Sequence, residues 1–226
     1  MNPVPYIDIH THKKRGEERT VVVRNLFPGE EIPAFTGRNF YSVGLHPWKT
    51  GAEEENNPLL QIMEDALELD HVILVGECGL DKGVENDFDE QLRVFQAQAF
   101  MAEEYQKPLL IHCVKAYNEI VRVFNRLHPT VPWIFHGYSA NIEVSRQLVP
   151  RNTFFSFGDT LFKEHAKALD SFRFIPLEQI FFETDEFEGH VEEIYQRGAA
   201  LKGLPLVALK ESVWGNFNRV ENIENY

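Results

Sequence analysis

The chain has few cysteines and no long apolar run. Its two cysteines, Cys78 and Cys113, provide neither a disulfide framework nor a Cys-x-x-Cys metal motif, which favours a reducing cytoplasm. No run approaches about 20 apolar residues, so the sequence predicts no membrane span. The segment Met1–Asp8 lacks the basic and apolar regions of a signal peptide, which also favours a cytoplasmic location.

Positive charge is scarce as well. The 226 residues include 22 Lys and Arg against 35 Asp and Glu, which gives a formal net charge of −13. A polyanionic partner would be repelled at long range, although bound divalent cations would reverse the field locally. The charge balance therefore weakens a nucleic-acid substrate without excluding it.

The sequence shows no internal repeat, no low-complexity tract and no linker rich in Pro, Gly or Ser, so we expect one domain over residues 1–226. Eight short runs are almost continuously apolar, as is typical of parallel strands covered on both faces. These runs are Pro5–Ile9, Arg19–Leu26, Phe40–Leu45, His71–Gly76, Pro108–Ile111, Pro132–Phe135, Thr153–Phe157 and Gln179–Phe182.

Apolar residues at helical spacing predict helices before the fourth, fifth and sixth runs, and around Glu192–Leu201 and Leu206–Val220. Eight strands alternating with helices predict an α/β fold, a distorted (β/α)8 barrel of the TIM type. The gaps Lys13–Glu18 and Phe27–Asn39 hold no regular helical pattern, so we expect no regular helix between strands one and two or between strands two and three. An alternative is that Arg19–Leu26 pairs antiparallel at an edge.

Imidazoles and carboxylates end five of the apolar runs. The carboxyl ends of parallel barrel strands meet at one mouth, so we expect these side chains to converge on a metal site. The residues are His10, His12, Glu77, His112, His136, Glu183 and Asp185.

Strand geometry suggests roles for several of them. Positions i and i+2 share a face, so His10 and His12 can hold one cation, with Asp8 as a candidate support. The two oxygens of Glu77 could bridge two cations, and the alternative is a helix cap or a salt bridge. Asp185 is expected to ligate a cation and accept a proton from the attacking water.

The remaining candidates also have structural alternatives. His112 and His136 are expected to be ligands rather than buried structural histidines. Glu183 is expected to orient a ligand histidine or a water, although it could instead form a capping pair with Asp185 for the next helix. His46 is expected to contact substrate, although a turn histidine before proline is the alternative.

Two basic positions are candidate anion sites. Lys13 begins the segment Lys13–Arg15, which could hold a phosphate or could simply be a solvated loop. Lys115 follows the fifth run closely and could bind an anion.

Taken together, these segments resemble the TatD family of metal-dependent hydrolases, within the amidohydrolase-like barrels. The matching segments are Asp8–His12, Gly44–Pro47, Val75–Asp81, Pro108–His112, His136–Ser139 and Glu183–Asp185, with Gln91, Phe95, Gln98 and Trp214–Asn218. The resemblance implies a distorted (β/α)8 barrel that holds one or two divalent metal ions.

The resemblance also implies a ligand set. His10 and His12 would hold the first cation with Asp185, His112 and His136 the second, and Glu77 would bridge. Imidazole with carboxylate suits Zn, Mn or Fe, and Mg is a further candidate. Tyr138, in a matching segment, is assigned to substrate binding.

The chain departs from the family pattern near the predicted mouth. Lys115 stands where the family usually has Arg, and the short acidic segment Glu186–His190 follows Asp185 in place of a loop with Pro, Arg and Asn. Both changes remove positive charge or hydrogen-bond donors, which argues against a long DNA substrate more than against the metal site.

These expectations define three functional hypotheses. The first is a phosphoester hydrolase, a deoxyribonuclease or small phosphoesterase, that uses a metal-activated water and acts on DNA ends, nucleotides or small phosphoesters. The second is hydrolysis of C–N or carboxylic ester bonds at the same metal site. Relatives of that kind often bridge their metals with a modified lysine on strand four, where this chain has Glu77, so the first hypothesis is favoured. The third is a non-catalytic binding protein. The sequence identifies no protein partner.

Overall fold

The computed structural model describes residues 4–14, 19–164 and 166–221. Within these residues the strands are β1 (Tyr6–Thr11), β2 (Thr20–Leu26), β3 (Asn39–Val43), β4 (Val72–Asp81), β5 (Leu109–Val114), β6 (Trp133–Phe135), β7 (Thr153–Phe157) and β8 (Ile180–Phe182). The helices are α1 (Glu53–Leu67), α2 (Phe88–Glu104), α3 (Tyr117–Leu127), α4 (Ile142–Leu148), α5 (Lys167–Phe174), α6 (Val191–Lys202) and α7 (Leu206–Glu221). Short 3-10 helices lie at Pro47–Lys49, Asp159–Phe162 and Leu177–Gln179.

The chain divides into two compact units. The first unit combines the described residues of Met1–Arg24 and His136–Tyr226. In this unit β1 pairs in parallel with β2, and β7 pairs in parallel with β8. A further parallel bridge joins Thr11, at the end of β1, to Asp185, just after β8. The carboxyl ends of β1 and β8 therefore lie side by side.

The second unit comprises Asn25–Phe135. Its strands β3, β4, β5 and β6 pair in parallel, each with the next along the chain. All ten residues of β4 are buried, as expected for a strand covered on both faces. Aromatic rings fill the core beside β6, where Trp133 packs edge-on against Phe95 and Phe124 at centroid distances of 5.6 and 5.0 Å.

All eight predicted strands are present, but three are longer than predicted. The expectation that His10, Glu77 and His112 follow their strands is wrong, because the structure places them inside β1, β4 and β5. Since β1 and β2 run parallel, the alternative of an antiparallel edge strand is also wrong.

Two glycines explain why β4 continues beyond its predicted end. Gly76 and Gly79 have φ angles of 131° and 148°, a backbone conformation that side chains rarely adopt. A Cβ atom at Gly76 would overlap the carbonyl oxygen of Leu110, and one at Gly79 would overlap that of His112. These glycines therefore allow close approach to β5 rather than ending the strand in a turn.

The helices agree in part with the sequence. The predicted helices correspond to α1, α2, α3, α6 and α7. Neither α4 nor α5 was predicted, because each is too short to show a clear helical period. No helix occurs in the described residues 12–14, 19 and 27–38, in agreement with the two predicted helix-free gaps.

That the chain forms a single domain stays a prediction. Across the residues that the structure describes, none of the helices is long and apolar enough for a membrane crossing.

We expect Gly79→Ala to lower the free energy of unfolding by at least about 2 kcal/mol, because the new methyl group meets the β5 backbone at an unfavourable φ. Gly215→Ala is the matched control. Gly215 lies within α7 with no atom near its Cβ position, so stability should be unchanged or rise by up to about 1 kcal/mol. Urea unfolding measures both, and equal stabilities for the two variants would contradict this account.

Candidate metal centre

The first cluster of metal-ligating side chains lies in the first unit. The Oδ1 atom of Asp185 lies 3.6 Å from Nε2 of His10 and 3.6 Å from Nε2 of His12. His10 is fully buried, whereas the side chains of His12 and Asp185 are 41% and 33% exposed. The cluster is therefore reached from solvent on the side of His12 and Asp185.

His136 belongs to the same cluster. Its ring centroid lies 4.4 Å from that of His10, and His10, His136 and Asp185 together could hold one cation. Its Nδ1 atom lies 3.7 Å from Oε1 of Glu183. The predicted ligands His10, His12, His136 and Asp185 thus lie together.

The spacing of these atoms fits a shared cation. Two ligand atoms that each lie about 2.1 Å from one metal ion are about 3 to 3.5 Å apart in tetrahedral or octahedral geometry. The separations of 3.6 Å between Asp185 and the two imidazoles are close to that range and are long for direct hydrogen bonds. The donor set, imidazole nitrogen with carboxylate oxygen, suits a borderline divalent cation.

Hydrogen bonds between the ends of β1 and β8 fix this arrangement. The backbone N–H of Asp185 donates to the carbonyl of His10 at 3.0 Å. Thr184 donates to Asp8 twice, from its backbone N–H at 2.8 Å and from its hydroxyl at 2.7 Å. The hydroxyl of Thr11 then donates to that of Thr184 at 2.7 Å.

Asp8, a candidate support in the sequence, thus contacts Thr184 through both of its carboxylate oxygens. Burial raises the pKa of Asp8 to about 7, although the hydrogen bonds from Thr184 act to lower it. Its carboxyl group connects β1 to the segment that carries Asp185.

The second cluster lies in the second unit and is centred on Glu77. Its Oε1 atom lies 3.0 Å from Nε2 of His46 and 3.0 Å from Nδ1 of His112. Glu77 and Asp81 share a face of β4, and His112 lies opposite Gly79, which separates them. The imidazole of His112 therefore spans the gap between two carboxylates.

Asp81 fixes the orientation of His112. Its Oδ2 atom lies 3.2 Å from Nε2 of His112 and accepts a hydrogen bond from Nε1 of Trp48 at 2.6 Å, while its Oδ1 accepts one from the N–H of Gly83 at 2.6 Å. Burial raises the pKa of Asp81, but these hydrogen bonds outweigh it and the net pKa lies below the usual range. An ionised Asp81 can therefore accept a proton from Nε2 of His112.

In the tautomer with the proton on Nε2, the unprotonated nitrogen of His112 faces Glu77. With the proton on Nε2, the Nδ1 atom of His112 presents a lone pair to the Glu77 oxygen at 3.0 Å. Two acceptors at that distance repel unless a proton or a cation lies between them. The residues of this cluster therefore also fit a divalent cation.

His46 has a different tautomer. The backbone N–H of Trp48 donates to its Nδ1 atom at 3.1 Å, so a neutral ring carries its proton on Nε2, which faces Glu77. His46 could complete a cation site with Glu77 and His112, but this hydrogen bonding makes it a donor to Glu77. That His46 contacts substrate rather than metal stays a prediction.

A cavity of about 200 Å³ opens beside the first cluster. Four carboxylate side chains line it, with two glycines that leave room at its wall. The lining residues are Gly137, Gly158, Asp159, Thr160, Glu183, Thr184, Asp185, Glu186 and Phe187.

Glu183 is buried at the wall of this cavity. Its Oε1 atom accepts a hydrogen bond of 2.5 Å from the N–H of Gly137. Its Oε2 atom has no hydrogen-bond partner among the residues that the structure describes, although the side chain is only 1% exposed. A buried carboxylate oxygen of this kind is costly unless a donor or a cation satisfies it.

The other predicted substrate contacts differ in their environment. The ammonium of Lys13 donates to the carbonyl of Gly189 at 2.6 Å, so it holds the acidic segment after Asp185. Lys115 is exposed just after β5, and Arg15 lies outside the described residues. Tyr138 is fully buried and its hydroxyl shares a hydrogen bond of 2.9 Å with Ser145, and its role in substrate binding stays a prediction.

Sequence reasoning assigned no role to Asp81 or Trp48. Asp81 lies beyond the predicted end of the fourth strand, and only the extension of β4 to Asp81 places both carboxylates on one face. Trp48 follows His46 by two residues, but only the structure shows that its indole reaches Asp81. Cys78, next to Glu77 in β4, is a buried free thiol.

We expect Thr184→Val to lower the free energy of unfolding by about 1–3 kcal/mol, because it removes the hydroxyl that joins Asp8 to Thr11. Thr184→Ser keeps the hydroxyl and should stay within about 1 kcal/mol of the original protein. Denaturant unfolding distinguishes the two, and a valine variant as stable as the serine variant would refute this role.

Comparison with known proteins identifies the family. The family model described as TatD related DNase matches residues 30–222. An uncharacterized metal-dependent hydrolase of Haemophilus influenzae is 24% identical over 197 residues, which cover 78% of this chain and 74% of that protein. The zebrafish (Danio rerio) protein named putative deoxyribonuclease tatdn3 is 24% identical over 178 residues, covering 74% of this chain and 63% of its own length.

The fold is that of a solved relative. The crystal structure of YjjV, a TatD homologue from Escherichia coli K12, matches with a TM-score of 0.80 at 18% identity, covering 96% of this chain and 98% of that one. This likeness confirms the predicted fold class, a (β/α)8 fold of the TIM type. The chain therefore belongs to the TatD family of metal-dependent hydrolases.

Proposed function

We propose that the protein is a divalent-metal-dependent hydrolase of phosphoester bonds, a deoxyribonuclease or a small phosphoesterase. The observation that carries the proposal is the carboxylate of Asp185 facing His10 and His12 at 3.6 Å beside an open cavity. Membership of the TatD family and the name of the zebrafish relative support the same reaction class.

One or two divalent cations, with Zn, Mn and Mg as the candidates, would bind to the two clusters. His10, His12, His136 and Asp185 supply the donors in the first unit. In the second unit the donors are Glu77 and His112. The bridging role of Glu77 and the sharing of one cation by His112 and His136 stay predictions. A bound divalent cation supplies Lewis acidity, which lowers the pKa of water and stabilises negative charge on phosphoryl oxygens.

Asp185 is the proposed proton acceptor for the attacking water. Its side chain is one third exposed at the cavity wall, so water and substrate can reach it. Its Oδ1 atom faces the imidazoles, and its second carboxylate oxygen can take the proton. Its backbone is held at a positive φ of 45° by the bond to His10.

Glu183 is the proposed positioning group of the cavity. Its Oε1 atom is held by the N–H of Gly137, which fixes the carboxylate plane. Its Oε2 atom is therefore presented in a constant orientation to a donor from the substrate or the attacking water. His46, as a donor to Glu77, and the exposed Lys115 are proposed to contact the substrate.

The charge of the cavity favours a short substrate. Asp159 and Glu186 add carboxylates to the wall, and Lys13 is engaged by the carbonyl of Gly189. With a net charge of −13, the chain offers few partners for a long row of phosphates. A nucleotide, a DNA end or a small phosphoester is the substrate class that fits. A cytoplasmic location stays a prediction.

Hydrolysis of bis-p-nitrophenyl phosphate and of single-stranded DNA with added Mn²⁺ tests the proposal. Asp185→Asn should lower kcat about 10²- to 10⁴-fold, because it removes the proton acceptor while asparagine tolerates the positive φ. Asp170→Asn, at a side chain 72% exposed on α5, is the control and should keep full activity.

The same preparations should be assayed on amide and lactone panels. Activity on those panels with none on phosphoesters would support hydrolysis of C–N or carboxylic ester bonds instead. Equal activity in the Asp170 and Asp185 variants would remove Asp185 from the mechanism.

We expect Glu77→Gln to weaken divalent cation binding at least about tenfold, because it removes the negative charge that faces His112 at 3.0 Å. Glu119→Gln, which breaks an ion pair with Lys82 instead, should leave binding unchanged. Calorimetric titration of the stripped proteins with Mn²⁺ measures both. Unchanged affinity in the Glu77 variant would exclude it as a ligand.

A further inference from the structure

Trp48 is an exposed aromatic residue beside the second cluster. It is 57% exposed, although tryptophan rings usually contribute to cores and interfaces. Its indole Nε1–H donates to Oδ2 of Asp81 at 2.6 Å. Because this bond uses the polar end of the indole, the exposed remainder of the side chain is mainly ring carbon.

Further contacts fix the position of this ring. The backbone N–H of Trp48 donates to His46, and its carbonyl accepts a bond of 3.3 Å from Asn86. Its ring centroid lies 5.1 Å from that of His46 and 6.0 Å from that of His112, with interplanar angles of 89° and 76°. A side chain that is already ordered loses little entropy when a ligand binds.

The charge around the indole favours a neutral contact. The cluster beside it contains the carboxylates of Glu77 and Asp81, and the whole chain is strongly acidic. Away from bound cations such a protein gains little affinity from phosphates, so contacts to uncharged parts of the substrate add binding energy. Stacking on an aromatic ring supplies it for any nucleobase, since every base has a π face.

We propose that the indole of Trp48 stacks on a nucleobase of the substrate, so that the protein prefers phosphoesters that carry a base. The inference rests on the proposed function and defines its substrate class as nucleotides and the ends of nucleic-acid strands. The carboxylate of Asp81 orients both the indole of Trp48 and the imidazole of His112.

The test compares two probes on the Mn²⁺-loaded protein by calorimetry. Deoxyadenosine 5′-monophosphate carries a base, and 2-deoxyribose 5-phosphate is the same phosphoester without it. Trp48→Leu should weaken binding of the nucleotide about 5- to 100-fold, the effect of losing one stack, and change binding of the sugar phosphate less than about twofold. Trp48→Phe should keep most of the preference, because it keeps a ring.

Phe100→Ala is the matched control, since Phe100 is an equally exposed aromatic residue, at 59%, on α2. It should bind both probes as the original protein does. Circular dichroism and thermal unfolding identify any variant that fails to fold, and the phenylalanine variant then decides the question.

The inference is wrong if the original protein shows no preference for the nucleotide, which includes binding neither probe. It is also wrong if the leucine variant keeps the preference, or if that variant loses equal affinity for both probes. Hydrolysis of phosphoesters without a base preference would refute the inference alone. Base-selective binding without any phosphoester hydrolysis would refute the proposed function and leave the binding site standing.

Discussion

In both clusters carboxylate oxygens lie within 3.0 to 3.6 Å of imidazole nitrogens, and the surrounding backbone holds them there. In the first unit Asp185 faces two imidazoles at distances too long for hydrogen bonds. In the second unit the imidazole of His112 lies between two carboxylates, with Nδ1 facing Glu77 at 3.0 Å and Nε2 facing Asp81 at 3.2 Å. Negative and lone-pair-bearing atoms gathered in this way are costly in a folded protein unless a positive charge joins them. Both clusters therefore have a set of ligand atoms that fits a divalent cation.

The backbone is arranged to hold these atoms in place. The bonds among Asp8, Thr11 and Thr184 align the ends of β1 and β8, and so set the distance from the histidines to Asp185. Gly79 lets β5 approach β4 so closely that His112 lies between two carboxylates. Metal affinity commonly depends on such supporting groups as well as on the ligands themselves.

Much of the fold was readable from the sequence, because buried parallel strands appear as short apolar runs and the His10–His12 spacing follows from strand alternation. The ends of the strands could not be predicted, since Gly76 and Gly79 look like turn signals until the neighbouring strand is known. The role of Asp81 could not be predicted either, because its partners, Trp48 and His112, come from distant positions in the chain. Tyr138 matched a family segment, yet a motif match does not reveal whether a side chain faces a cavity or the core.

Cation binding by the folded protein can be measured as the free energy of unfolding of the chelator-stripped protein in urea while Mn²⁺ or Zn²⁺ is added. If the clusters bind cations in the folded state, stability should rise by about 1.4 kcal/mol per bound cation for each tenfold increase in free cation above the dissociation constant. A protein with His10 and His12 both replaced by asparagine should show a smaller rise. A stability that is the same in chelator and in millimolar cation would contradict the account.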